Sequence, residues 1–153
     1  MVLTYNQIMS KLETFANEHY QINSFDNGDL WELIEHAKRD GVKDQNYPMM
    51  FVQDQPATTE QGIIELVFRI YIINLVQKDE SNENEVKSDT LQICLDVLSE
   101  WVMQTTDLQV TVDKNTNLTS FTERFNDELT GWWMDLKLKV PFKYNKCDIP
   151  KAN

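Results

Sequence analysis

Nine residues near the C-terminus constrain the fold more than any other stretch. From Trp132 to Val140, the even positions hold Trp132, Met134, Leu136, Leu138 and Val140, while Asp135, Lys137 and Lys139 stand at odd ones. A period of two is that of a strand with one buried face, because successive side chains point to opposite sides. Such a strand cannot stand alone. It needs partner strands along its edges and a second layer over its apolar face. Pro141 then removes a backbone donor and ends regular pairing. Residues 143–153 are therefore expected to leave a single domain of residues 1–142 as an extended arm. The apolar residues around and within it, Phe142, Tyr144 and Ile149, need a surface to land on, and in a small domain a neighbour can supply it.

The rest of the chain supplies the partners. Thr4 can cap a helix running to about Glu18, with Tyr5, Ile8, Leu12 and Phe15 or Ala16 at three- and four-residue intervals. Asn23 to Gly28 reads as a turn and residues 29–40 as a short helix, with an irregular ribbon over Ile22 to Trp31 as the alternative. After Tyr47-Pro48, MMFVQD reads as a short strand. Pro56 to Gly62 is turn-rich and predicts a long hairpin tip, followed by a long strand with Ile64, Leu66, Phe68, Ile70 and Ile72 on one face. Its other face, with Glu65, Val67, Arg69 and Tyr71, is half apolar. Lys78 to Lys87 is acid-rich and reads as an exposed linker. Ser88 is the expected cap of a second helix ending near Gln104, with Leu91, Cys94, Leu95, Leu98 and Val102 as its stripe and Trp101 beside it. Leu108, Val110 and Val112 alternate as a third strand, and a polar turn follows at Asp113 to Asn117. The segment around Phe121 and Phe125 then leads into the final strand.

The order is helix, two strands, helix, two strands. It predicts an α+β two-layer sandwich, a four-stranded antiparallel sheet with helices on one face. The expected core contains Leu12, Phe15, Leu66, Phe68, Ile70, Leu95, Leu98, Leu136 and Leu138.

Composition limits the chemistry. The 153 residues are 41% hydrophobic and 25% charged, with a net charge of -11, so the surface is not built to neutralise phosphates. The start of the chain lacks the unbroken apolar core of a signal peptide, and no apolar run is long enough to span a bilayer, so neither secretion nor membrane insertion is expected. Cys94 and Cys147 have no metal-ligand spacing, and reduced thiols are expected. His19 and His36 lie near predicted helix ends, where an imidazole suits the dipole. Cys94 sits on an apolar stripe, whereas Cys147, beside Lys143 and Lys146, lies in the arm. The acids from Asp79 to Asp89 contain no glycine of the kind a calcium loop requires and read as a solvated charge run. No nucleophile elbow or phosphate loop is present. The expectation is therefore no catalytic residue, no metal and no cofactor. Trp132 and Trp133 must face opposite sides of a strand. One enters the core, and Trp133 is left for an interface contact or partial burial.

Several segments together resemble the small neck and tail-completion proteins of tailed bacteriophages. They are the N-terminal amphipathic helix, the YPMMFV strand (Tyr47 to Val52), the long strand ending in IYIINLV, the SDTLQICLDVL helix (Ser88 to Leu98) and the closing GWWMDLKLKVP…NKCDIP (Gly131 to Pro150). The chain is most similar to such proteins from phages infecting Bacteroidota, crAss-like phages included. The resemblance implies a tail-terminator-like fold and a place in the virion, made in the host cytoplasm. It also implies a cyclic homo-oligomer, six- or twelvefold, below the portal or on top of the tail tube. Portal, neck or tail ring proteins would be its neighbours, and genome DNA would pass through without sequence-specific contact. Rings of this kind close through head-to-tail contacts. Pro56, Thr58, Thr59, Glu60, Gln61, Trp133, Phe142, Tyr144 and Ile149 are the candidate interface residues. The alternative is an intracellular adaptor or inhibitor that binds one protein through a sheet edge.

Overall fold

Two fourteen-residue strands, Ile63–Val76 and Glu128–Pro141, pair antiparallel along their whole length and form the spine of the protein. The structure is a computed structural model, and it describes residues 3–29, 47–76, 81–104, 109–124 and 128–152. In chain order the elements are α1 (Tyr5–Glu18), β1 (Ser24–Asn27), β2 (Met49–Asp54), β3 (Thr58–Glu60), β4 (Ile63–Val76), α2 (Glu83–Gln104), β5 (Thr111–Val112), β6 (Leu118–Arg124) and β7 (Glu128–Pro141), with a short 3-10 turn at Lys146–Asp148. The fold is α+β, with a mixed seven-stranded sheet ordered β1-β2-β4-β7-β5; β3 is also paired to β4 and β6 to β7.

The expected four-stranded antiparallel sheet is corrected here in three places. Ser24–Asn27, expected as a turn, pairs parallel with β2, which makes the sheet mixed. Thr58–Glu60, expected within a long open tip, pairs with Ile63–Glu65, so the turn shrinks to Gln61 and Gly62. Gly62 has φ +78°, the left-handed region where a residue without Cβ is unstrained. Leu118–Arg124 forms a full partner strand for β7. Its polar sequence hides it, because it lies on an edge with solvent on much of its surface. Of the expected third strand, β5 covers Thr111–Val112, and Leu108 lies outside the described residues. The proposed helix over residues 29–40, with His36, falls almost wholly outside the described residues.

Thr4 caps α1 as expected, and Gln7 returns a bond to the Thr4 backbone, closing a capping box. Helix α2 starts five residues before the expected Ser88, so half of the supposed linker is helical. Glu83 and Glu85 stand in its first turn, where acids suit the dipole, and buried Val86 anchors that turn. The face of α2 that packs is also rotated from expectation. Val86, Thr90, Ile93, Cys94, Val97 and Trp101 are buried, while Leu95 is 38% exposed. This helix is apolar on two sides, so spacing alone cannot choose between them; the Trp101 and Ile93 side packs on the sheet. The Thr90 hydroxyl, fully buried, donates to the Val86 carbonyl at 2.7 Å.

One core lies between the helices and the sheet. Ile8, Leu12 and Ala16 of α1 and the buried α2 residues meet Leu66, Phe68, Ile70 and Ile72 of β4 and Met134, Leu136, Leu138 and Val140 of β7. Phe15 and Leu98 pack at its margin. A second, smaller cluster on the opposite side joins Tyr47, Met49, Phe51, Ile73 and Leu129, with Tyr71 and Phe121 against it. It accounts for the half-apolar second face of β4.

Candidate interaction surface

One end of the sheet gathers most of the candidate interface residues. At Ile63 the β4 strand faces Pro141, the last residue of β7, and also opens the two-residue turn to β3. The Phe142 N–H donates to the Gly62 carbonyl at 2.9 Å, so the root of the arm is tied to the hairpin turn. Tip and arm therefore leave the domain side by side. Pro56, Thr58, Thr59, Glu60 and Gln61 are exposed, Phe142 is half-buried, and every residue from 143 to 152 is exposed. Tyr144 remains 76% exposed even though its ring meets that of Phe142 edge-on at 4.9 Å, and Ile149 is 53% exposed. The arm has local order of its own. The Asn145 side chain accepts from the Cys147 N–H at 3.0 Å and caps the Lys146–Asp148 turn.

Trp133 does not join this group. It stands opposite Tyr71, eight residues along β7 from Pro141, roughly 27 Å away at the usual rise per strand residue. There the Arg69 guanidinium lies over its ring at 4.1 Å. The same guanidinium makes a two-pronged contact with Asp135, Nε to Oδ1 at 2.9 Å and Nη2 to Oδ2 at 3.2 Å. That bond to Asp135 raises the Arg69 pKa further above its ordinary value. Tyr71 donates to the Gln53 side chain at 3.2 Å, and burial pushes its phenol up. The sequence carries Arg69 and Asp135 in plain view as odd-position charges. Only the β4–β7 register makes them neighbours, and the sequence alone does not set that register.

The remaining reactive side chains have structural surroundings. His19 caps the C-terminal end of α1; its Nδ1 accepts from the Gln21 N–H at 3.2 Å, which leaves Nε2 to donate to Asp96 at 2.9 Å. Cys94 is fully buried, and desolvation raises its thiol to about 12, far from thiolate at neutral pH. Cys147 is exposed in the arm. The Trp132 indole N–H donates to the Lys87 carbonyl at 2.9 Å, locking β7 to the first turns of α2. Among the described residues, no group of three His, Cys, Asp or Glu is placed to hold a metal ion, and no helix is long and apolar enough to cross a membrane.

A cleft of about 400 Å³ opens between the first turn of α1 and the segment joining β2 to β3, lined by Tyr5, Asp54, Pro56, Ala57, Leu66 and Phe68. It arises because that segment carries one residue more than β4 opposite it: Asp54 faces Phe68 and Thr58 faces Glu65. Burial, and then the Asp54 charge, raise the Tyr5 phenol above its ordinary value. Asp54 itself has no ion-pair partner among the described residues. No protein-family model and no curated protein matches the chain.

Proposed function

We propose that this protein is a non-enzymatic structural component that works as an assembled ring, in the neck or head-tail junction of a tailed phage. Its fold would then be of the tail-terminator kind, and its neighbours would be copies of itself and adjacent portal or tail rings. The observation that carries this reading is the arm: residues 143–152 are exposed throughout and keep Tyr144 and Ile149 in solvent, while the root at Phe142 is bonded to the β3–β4 turn. Holding such a segment in one conformation costs about 1 to 2 kcal/mol per residue in backbone entropy, and contact with a large partner offsets that.

Deletion of Lys143 to Asn153 is the test. The wild-type chain should sediment as an oligomer, and the truncated chain as a monomer with an unchanged circular dichroism spectrum. Truncated protein that still formed normal rings and particles would overturn the role of the arm. A wild-type chain that stayed monomeric at high concentration would favour the adaptor reading, with the exposed β3 edge as its docking strand.

A further inference from the structure

We infer that the arm of one copy seats in the cleft between α1 and the β2–β3 segment of a second copy. This deepens the self-association reading above and rests on it. Three observations converge. The first is charge. Lys143, Lys146 and Lys151 against the single Asp148 give residues 143–153 a net charge of +2, which leaves -13 on the rest of a chain whose total is -11. The arm is thus the basic segment of an acidic protein, and its complement is another copy.

The second is chemistry. The cleft pairs an apolar wall, the half-exposed Tyr5 ring packed 5.5 Å from that of buried Phe68, with a carboxylate at its lip, Asp54, that no described cation neutralises. The arm offers the matching set, an aromatic and an aliphatic residue spaced between lysines. The third is reach. Eight extended residues and the three-residue turn at Lys146–Asp148 span up to about 32 Å, far enough to cross to an adjacent domain from a root fixed at Gly62. Arm and cleft are different patches of one surface, so the contact is heterologous, the kind that propagates around a ring.

Cys147 lies in the arm and supplies a native probe, while Cys94 is buried and silent. An Ala57→Cys variant of the full chain places a thiol at the cleft. Mild copper–phenanthroline oxidation then joins the two sulfurs, the copper complex taking the two electrons and solvent the two protons. A disulfide forms only where the two Cα atoms come within about 7 Å. Thr119→Cys, on the exposed β6 segment, serves as the comparison. The expected result is a ladder of covalent oligomers from Ala57→Cys well above that from Thr119→Cys or wild type. It should weaken at high salt and vanish when Cys147→Ser is added. Equal ladders from the two variants would mean random collision and overturn the inference. A disulfide confined within one chain would show the arm filling its own cleft, and would overturn it as well. If sedimentation showed oligomers with no ladder at position 57, the docking site would be wrong and the self-association reading would stand. A monomer in sedimentation would remove both.

Discussion

The β4–β7 pair has one backbone and two unlike faces. Toward the helices, Leu66, Phe68, Ile70 and Ile72 oppose Leu138, Leu136, Met134 and Trp132, and all but Trp132 are buried. Toward the other side, the same strands set Arg69 opposite Asp135 and Tyr71 opposite Trp133. The covered face is held by area and packing, which tolerate any residue of suitable size and apolarity. The other has a small apolar cluster around Phe51 and Ile73 at one end, and beyond it is held by particular pairs, each of which depends on which residues stand opposite. A face of the first kind declares itself in a sequence as a period. The second does so only once register is known.

The most damaging change should be one that parts the two strands and so removes both faces together. Gly131 stands opposite Ile73, and a Cβ there would lie 1.9 Å from the Ile72 carbonyl oxygen and 2.9 Å from its carbon. Both obstacles are backbone. Gly131→Ala is expected to cost more than about 4 kcal/mol, the exceptional range for a single substitution, or to prevent folding. Denaturant unfolding checks it; a variant within about 1 kcal/mol of wild type would mean that the strands separate there without penalty.

On the covered face alone, Phe68→Ala should lose roughly 3 to 5 kcal/mol, as truncation of a buried aromatic does, since the ring is 1% exposed. Next in size comes a pH effect at Cys94, which also belongs to that side. Its thiol is raised from 9.0 to about 12 in the folded protein by burial. A raised pKa means that the stabilisation is whole below pH 9 and is lost as pH climbs toward 12, because the unfolded chain ionises first. At about 1.4 kcal/mol per unit, the loss reaches roughly 3 to 4 kcal/mol. The stability advantage of wild type over Cys94→Ala should therefore shrink across that window. Parallel curves for the two proteins would mean that the thiol is hydrated.

Particular residues show where sequence reading succeeded. The alternation from Met134 to Val140 and from Leu66 to Ile72 located the spine and its buried side, and Thr4 located the start of α1. Of the expected α2 stripe, Cys94, Leu98 and Val102 do pack on the core, but the packed face is centred on Ile93, Val97 and Trp101, because apolar residues on two sides of the helix compete for the same sheet. The bigger Trp101 ring packs inward, and Leu95 is left outside. Parallel β1 is not legible in the sequence, since four residues of mixed polarity carry no period and their pairing is settled by tertiary contact with β2. The arm and the turn were each legible as exposed segments. Their adjacency was not, because it follows from the Ile63–Pro141 pairing.

The smallest expected effect belongs to the more open stretch of the second face, around Arg69 and Asp135. Arg69 and Asp135 are directly opposite, fork to fork, but their side chains remain 29% and 25% exposed. Partial solvation weakens the Coulomb attraction, while the two-pronged geometry and the Trp133 ring beneath the guanidinium restore some of it. A double-mutant cycle of Arg69→Met and Asp135→Ala should give a coupling of about 1 kcal/mol. Screening should reduce it when salt is raised from about 0.1 to about 1 M, because the screening length falls from about 10 Å to about 3 Å. Unfolding of the four proteins at the two salt concentrations measures both quantities. A coupling above about 3 kcal/mol, insensitive to salt, would place the pair among buried ion pairs. The open face would then be as closed as the helix side, and the contrast between the two would fail.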